Sequence, residues 1–142
     1  MLVKKIKYED FNGDQREENF EFHLSEAEVV EMNLRYTGGL EKYVDSLNYS
    51  LDGNKVMDLM KDVIERSIGR KTPDGRFEKT VEVKNNFLYS EAYNVLFMEL
   101  CTNADAATKF MNGIMPAKIK AQKMIDAKSQ GQGGNYNPPV KS

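Results

Sequence analysis

This chain is poor in the side chains that do covalent chemistry. It holds one histidine, His23, and one cysteine, Cys101. A metal centre needs several His, Cys or carboxylate ligands that converge, and one of each, far apart in sequence, does not supply them. No signature supports a Cys–His nucleophilic pair. A single cysteine cannot close an internal disulfide. With Tyr93, Phe97 and Leu100 near it in sequence, Cys101 reads as a small buried hydrophobe in a reducing compartment. No apolar run approaches the ~18 residues of a membrane span. Residues 1–7 lack the apolar core of a signal peptide. The expected location is therefore the cytosol.

Other motifs fail on closer reading. Glu17, Glu18, Glu26 and Glu28 fall on faces expected to be exposed, and a glycosidase needs two carboxylates across a shaped cleft. Asp10, Asn12 and Asp14 imitate a calcium loop, but the sixth position is Gln15 where that loop requires glycine. Gly38-Gly39 lacks a following Lys-Ser/Thr, and the glycines at 131, 133 and 134 follow no strand, so neither is a phosphate loop. The reading nominates no catalytic residue, metal ligand or cofactor.

What the chain does have is a core and uneven charge. Its 142 residues are 40% apolar and 30% charged, enough to bury ~65–70% of the unfolded surface in one domain. Net charge is -2, so no global basic field attracts nucleic acid. Residues 9–31 carry nine acids and one arginine, whereas residues 117–128 carry four lysines and one aspartate. The lysines at 118, 120, 123 and 128 could meet phosphates, but no aromatic platform or recognition helix accompanies them, which argues against DNA or RNA. The opposite charge of the two ends instead offers a route to weak self-association.

The expected fold is α+β and mainly α, with an N-terminal hairpin packed on a small helical domain. Residues 1–116 form that domain: hairpin 2–24, helices within 25–115. A basic helical extension (117–128) and a disordered tail (129–142) follow. Phe20, Phe22 and Leu24 alternate with polar residues, and Asn12-Gly13 marks the turn. A two-residue loop would set Ile6 opposite Asn19 and mix the faces. A three-residue loop of Phe11-Asn12-Gly13 gives one apolar face and is preferred. His23 falls on the polar face.

Ser25 and Glu28 form a capping box for a helix to about Tyr36, ended by Gly38-Gly39. A second helix is expected from Leu40 to about Leu51. A third carries Val56, Leu59, Met60, Val63, Ile64 and Ile68 at 3–4 spacing, with Gly69 as its stop. Thr72-Pro73-Asp74-Gly75 is a turn within an exposed ribbon or loop. Thr80 caps a short helix through Phe87. Ser90 caps a helix with Ala92, Tyr93, Leu96, Phe97 and Leu100 on one face. Asn103 or Asp105 starts a last helix, which Asn112-Gly113 closes before Pro116. The eight methionines, Met57, Met60, Met98, Met111, Met115 and Met124 among them, either fill the core or line a groove for varied helical partners.

Several segments together resemble one family: residues 66–71, 73–77, 87–93, 96–100 and 106–110, then Asn112-Gly113-Ile114-Met115-Pro116. They are similar to the tail assembly chaperones of long-tailed bacteriophages of Gram-positive hosts, over about residues 1–116. The resemblance implies a non-enzymatic protein of the host cytoplasm, absent from the mature virion. It implies that the protein binds the helical tape measure protein, keeps it soluble and helps recruit tail tube subunits. It also implies a longer frameshifted product whose extension meets the tube protein. Two other readings stay open: a structural tail component retained in the virion, and a small regulatory protein-binding module. The apolar set Tyr93, Leu96, Phe97, Phe110, Ile114 and Met115 is nominated for the core or for partner binding.

Overall fold

A computed structural model describes residues 1–116, and the expected extension and tail lie outside them. The first sixty-seven residues give strands β1 (Leu2–Glu9) and β2 (Gln15–Phe22), then helices α1 (Glu26–Arg35), α2 (Leu40–Ser46) and α3 (Gly53–Ser67). Strands β3 (Ile68–Lys71) and β4 (Phe77–Glu78) follow, then α4 (Val81–Leu88), α5 (Glu91–Thr102) and α6 (Ala104–Ile114). The class is the expected mixed α+β with a helical majority.

The hairpin register follows from its loop. Leu2 pairs with Phe22, Ile6 with Glu18 and Glu9 with Gln15, an even sum throughout. Asp10 N donates to Asp14 O at 2.9 Å and Gly13 N to Asp10 O at 3.0 Å. The loop is therefore the three-residue Phe11-Asn12-Gly13, with Gly13 at φ +84°, a conformation that favours glycine. Ile6, Tyr8 and Phe22 are buried on one side. Lys4 breaks the apolar pattern of that side and is held by Glu99 of α5 at 2.8 Å.

The ribbon after α3 repeats this loop geometry. Thr72 N donates to Arg76 O at 2.8 Å, Gly75 N to Thr72 O at 3.0 Å, and Gly75 sits at φ +87°. The ribbon is not a separate appendage. Ile68 and Gly69 pair with Phe22 and Glu21, giving one sheet in the order β1-β2-β3-β4.

Three sequence expectations change here. Gly69 is not a helix stop. Helix α3 ends at Ser67 and Gly69 is buried in β3, where an added Cβ would meet the Phe77 ring and lie 2.8 Å from Glu78 O. Helix α2 ends at Ser46 rather than near Leu51, because Asn48 organises a turn. Its Oδ1 accepts from Ser50 N at 3.0 Å and Leu51 N at 3.2 Å, while its own N donates to Asp52 at 2.9 Å. Asn112-Gly113 does not close α6, which continues to a buried Ile114 and is capped by Met115. A Cβ on Gly113 would stand 3.0 Å from Leu2, so the glycine lets β1 approach the helix.

Caps join the elements. The Ser25–Glu28 capping box is complete, Thr80 accepts from Val83 N, and Asn103 accepts from Ala106 N. Ser90 occupies its cap position, but its hydroxyl donates to Phe87 O at 2.7 Å instead. Lys79 Nζ reaches Glu28 at 2.6 and 2.8 Å and Arg66 O at 2.7 Å, and Lys84 Nζ donates to Glu65 O. Two ammoniums thus satisfy carbonyls at the end of α3, where the helix dipole favours positive charge. Burial opposes ionisation of Glu28, but hydrogen bonds from Lys79 and Ser25 outweigh it and hold the carboxyl below its usual range. Burial also pulls the Lys79 ammonium down against the pull of Glu28. The Glu28 carboxylate and the Arg66 carbonyl around Lys79 favour its charged form.

Two outcomes are expected. Gly69→Ala forces β4 off β3 and costs ~2 kcal/mol in urea unfolding, as overpacking does. Lys79→Met leaves Glu28 and a helix end short of a charged donor and costs ~2 kcal/mol at pH 7. Because the folded Glu28 carboxyl lies below its unfolded value of 4.5, its contribution is present above that pH and is lost as pH falls through the folded value. The gap between wild type and variant should narrow in acid; a constant gap down to pH 3 would refute the assignment.

Candidate functional site

The nominated apolar residues divide by depth. Leu96, Phe110 and Ile114 are buried, whereas Tyr93, Phe97 and Met115 are half-buried and pack against the core. Tyr93, Phe97 and Phe110 belong to an aromatic series. Phe22 meets Phe110 at 5.1 Å and Phe87 at 5.5 Å edge-on, Phe87 meets Tyr93 at 6.0 Å, and Tyr93 stacks on Phe97 at 5.6 Å. The series starts in the core and ends at the half-open face of α5.

Fully open apolar surface lies elsewhere, on residues that sequence reading passed over. Helix α1 buries Val29 and Met32. Its Val30 is 57% exposed and Leu34 84% exposed, and Ala27 beside them is exposed. At about 100° per residue these three share one stripe, roughly opposite Met32. Glu26 and Glu31 border it. The core side is locked in place: Tyr36 Oη donates to Asp62 at 2.5 Å, and Arg66 bridges Asp62 at 3.0 Å and Glu31 at 3.7 Å. The outward stripe is thus presented on a fixed helix. Val95 and Met98 make a shorter exposed pair on α5.

Among the described residues the methionines divide between core and surface. Met32, Met60 and Met111 are core, and Met57 and Met98 are exposed on separate helices; Met124 lies outside the described residues. Two clefts carry no methionine in their walls. One of about 250 Å3 opens where β3 diverges from β2, over Phe20, Ile68 and Phe87. The other, about 400 Å3, lies beside β1.

Nothing in these places resembles a reaction centre. Among the described residues no three His, Cys, Asp or Glu side chains gather to hold a metal. Burial pushes the Cys101 thiol up, away from the thiolate a nucleophile needs. His23 lies on the outward parity of the hairpin, as expected, but Phe77 of β4 covers it, ring to ring at 5.8 Å. No helix among the described residues is long and apolar enough to cross a membrane.

The depth difference gives a direct test. The double substitution Val30→Gln with Leu34→Gln should shift unfolding free energy by less than about 0.5 kcal/mol, as surface changes do. Leu96→Ala should cost ~3 kcal/mol. A comparable loss in both would show that the α1 stripe serves the fold.

No curated protein and no solved structure matches the chain. A family model described as phage tail assembly chaperone matches residues 1–138. With nearly its whole length covered by that model, the chain belongs to the phage tail assembly chaperone family, and its work is assembly rather than catalysis.

Proposed function

We propose that the chain binds helical segments of the tape measure protein of a long-tailed phage of a Gram-positive host, keeps them soluble, and presents them to tail tube subunits. The observation that carries this reading is the second apolar face of α1. A helix that already buries Val29 and Met32 has no folding reason to carry Ala27, Val30 and Leu34 on its far side. An amphipathic client helix laid along that stripe would cover them, and Glu26 and Glu31 at its borders suit a client with basic flanks. Tyr93 and Phe97, half-buried on α5, supply a further apolar contact.

The rest of the proposal follows from the client's length. Modest affinity at each seat suffices when many copies line one long ligand. Weak contact between the acidic front and the basic rear of neighbouring copies would add to it. Contact with the tube protein is assigned to a longer, frameshifted form. The working location is the host cytoplasm, before the virion is complete.

Co-expression with the tape measure protein of the same phage is the test. Wild type should hold that protein in the soluble fraction and co-purify with it, less at high salt than at low. The Val30→Gln/Leu34→Gln variant should recover at least tenfold less. If wild type recovers none, the chaperone reading fails. Stoichiometric presence of the chain in purified virions, by mass spectrometry, would make it a structural tail component instead.

A further inference from the structure

Strand β1 is the edge of the sheet and has β2 as its one strand neighbour among the described residues. At ~3.4 Å per residue its eight residues offer an edge ~27 Å long. The parity of that edge is fixed by the loop. Asp10 and Asp14 are a hydrogen-bonded pair, so by alternation Tyr8, Ile6, Lys4 and Leu2 bond to β2. Val3, Lys5, Lys7 and Glu9 therefore turn their backbone N–H and C=O groups to the open edge.

The cleft of about 400 Å3 lies along the core side of this same strand. Leu2 and Lys4 of β1 form one wall; Glu99, Asn103, Asp105, Lys109 and Phe110 of α5, α6 and the turn between them form the other, so the cleft is largely polar. An unpaired edge beside a cleft is the arrangement in which an added strand gains main-chain bonds from the edge and places alternate side chains in the cleft. We propose that the β1 edge takes an extended, acidic segment of a partner protein as a fifth strand, a mode distinct from the helical seat on α1.

Charge selects the occupant. On the outer side of β1, Lys5 and Lys7 share one carboxylate, Glu17, at 3.2 and 3.5 Å. Glu9, at the far end of the same parity, accepts from Gln15 at 3.2 Å, so over the middle of the edge two ammoniums against one carboxylate leave positive charge where the outward side chains of an incoming strand would stand. An acidic side chain there gains, and a basic one is repelled. A second copy's β1, laid antiparallel, would bring Lys5 and Lys7 against their own kind. This chain's residues 117–142 carry five lysines and a single acid, Asp126, and fit no better. The occupant is therefore a different protein, with acids on the outward parity of an extended run.

The test uses the full chain, labelled with 15N, and an eight-residue synthetic peptide alternating glutamate with valine. Its control replaces each glutamate with lysine. The glutamate peptide should shift the amides of Val3, Lys5 and Lys7 and bind at least tenfold tighter than the control. Lys5→Pro removes an outward donor without touching a bond to β2 and should weaken binding at least tenfold. The Lys5→Glu/Lys7→Glu variant, which keeps every backbone donor, should reverse the ranking of the two peptides. Equal binding of the two peptides, shifts confined to other residues, no binding at all, or a dimer that closes the edge in sedimentation would each overturn the proposal. None of these outcomes bears on whether α1 holds a helical client.

Discussion

The fold depends on covering one side of a hairpin that could not survive uncovered. Two strands alone are marginal in water, and β1 and β2 have just one apolar side. Phe22 is where that side is closed. It is fully buried, edge-on to Phe87 of α4 and Phe110 of α6, and it pairs with Ile68 of β3. Residues distant in sequence meet at this one ring. Around it the backbone is tied by His23 N to Ser67 O at 2.8 Å and Leu24 N to Ile114 O at 2.9 Å. The end of β2, the end of α3 and the end of α6 therefore share one junction, and the helices cannot shift without exposing the hairpin.

That constraint explains what the sequence makes legible. Hairpin parity is local: one loop, one glycine and the alternation of Phe20, Phe22 and Leu24 decide it. Caps are local too, so Ser25–Glu28 and Thr80 read correctly from their spacing, and of Asn103 and Asp105 it is Asn103 that caps α6. What escaped was non-local. Gly69 looked like a helix stop because it follows an apolar stripe at 3–4 spacing. Its actual reason is the close approach of Phe77 and Glu78, a strand pairing that no window around Gly69 contains. Gly113 is similar: beside Asn112 it spells a helix end, yet the atoms that require a glycine belong to Leu2. The exposed ribbon was legible as a turn, but its membership in the sheet rests on β2, some fifty residues earlier.

The candidate surface was harder to read for a different reason. Apolar content does not reveal depth. Leu96, Phe110 and Ile114 stand out in sequence because they are large and periodic, and that periodicity is what the core demands. Val30 and Leu34 do not stand out in sequence because α1 carries two interleaved stripes, and a sequence does not say which one faces in. The decision is made by Tyr36, Asp62 and Arg66, which fasten one side of α1 to α3. The proposed client seat rests on an excess: α1 carries more apolar side chains than burial needs.

The two open surfaces differ in physics, and this bears on how a chaperone can let go. A helix face contributes mainly through apolar area, so its hold scales with the hydrophobic length of the client, and salt weakens the share that Glu26 and Glu31 add. A sheet edge contributes through main-chain bonds that any extended chain could make, so its selectivity rests on Lys5 and Lys7, whose attraction is screened within ~8 Å at physiological salt. The first suits a long, repetitive helix held by many copies. The second suits an exchangeable contact, made by one short segment and broken by competition from another. A protein that must cover a client and then surrender it gains from having both on one small rigid body, because the edge can be engaged or vacated without disturbing Phe22 and the junction behind it.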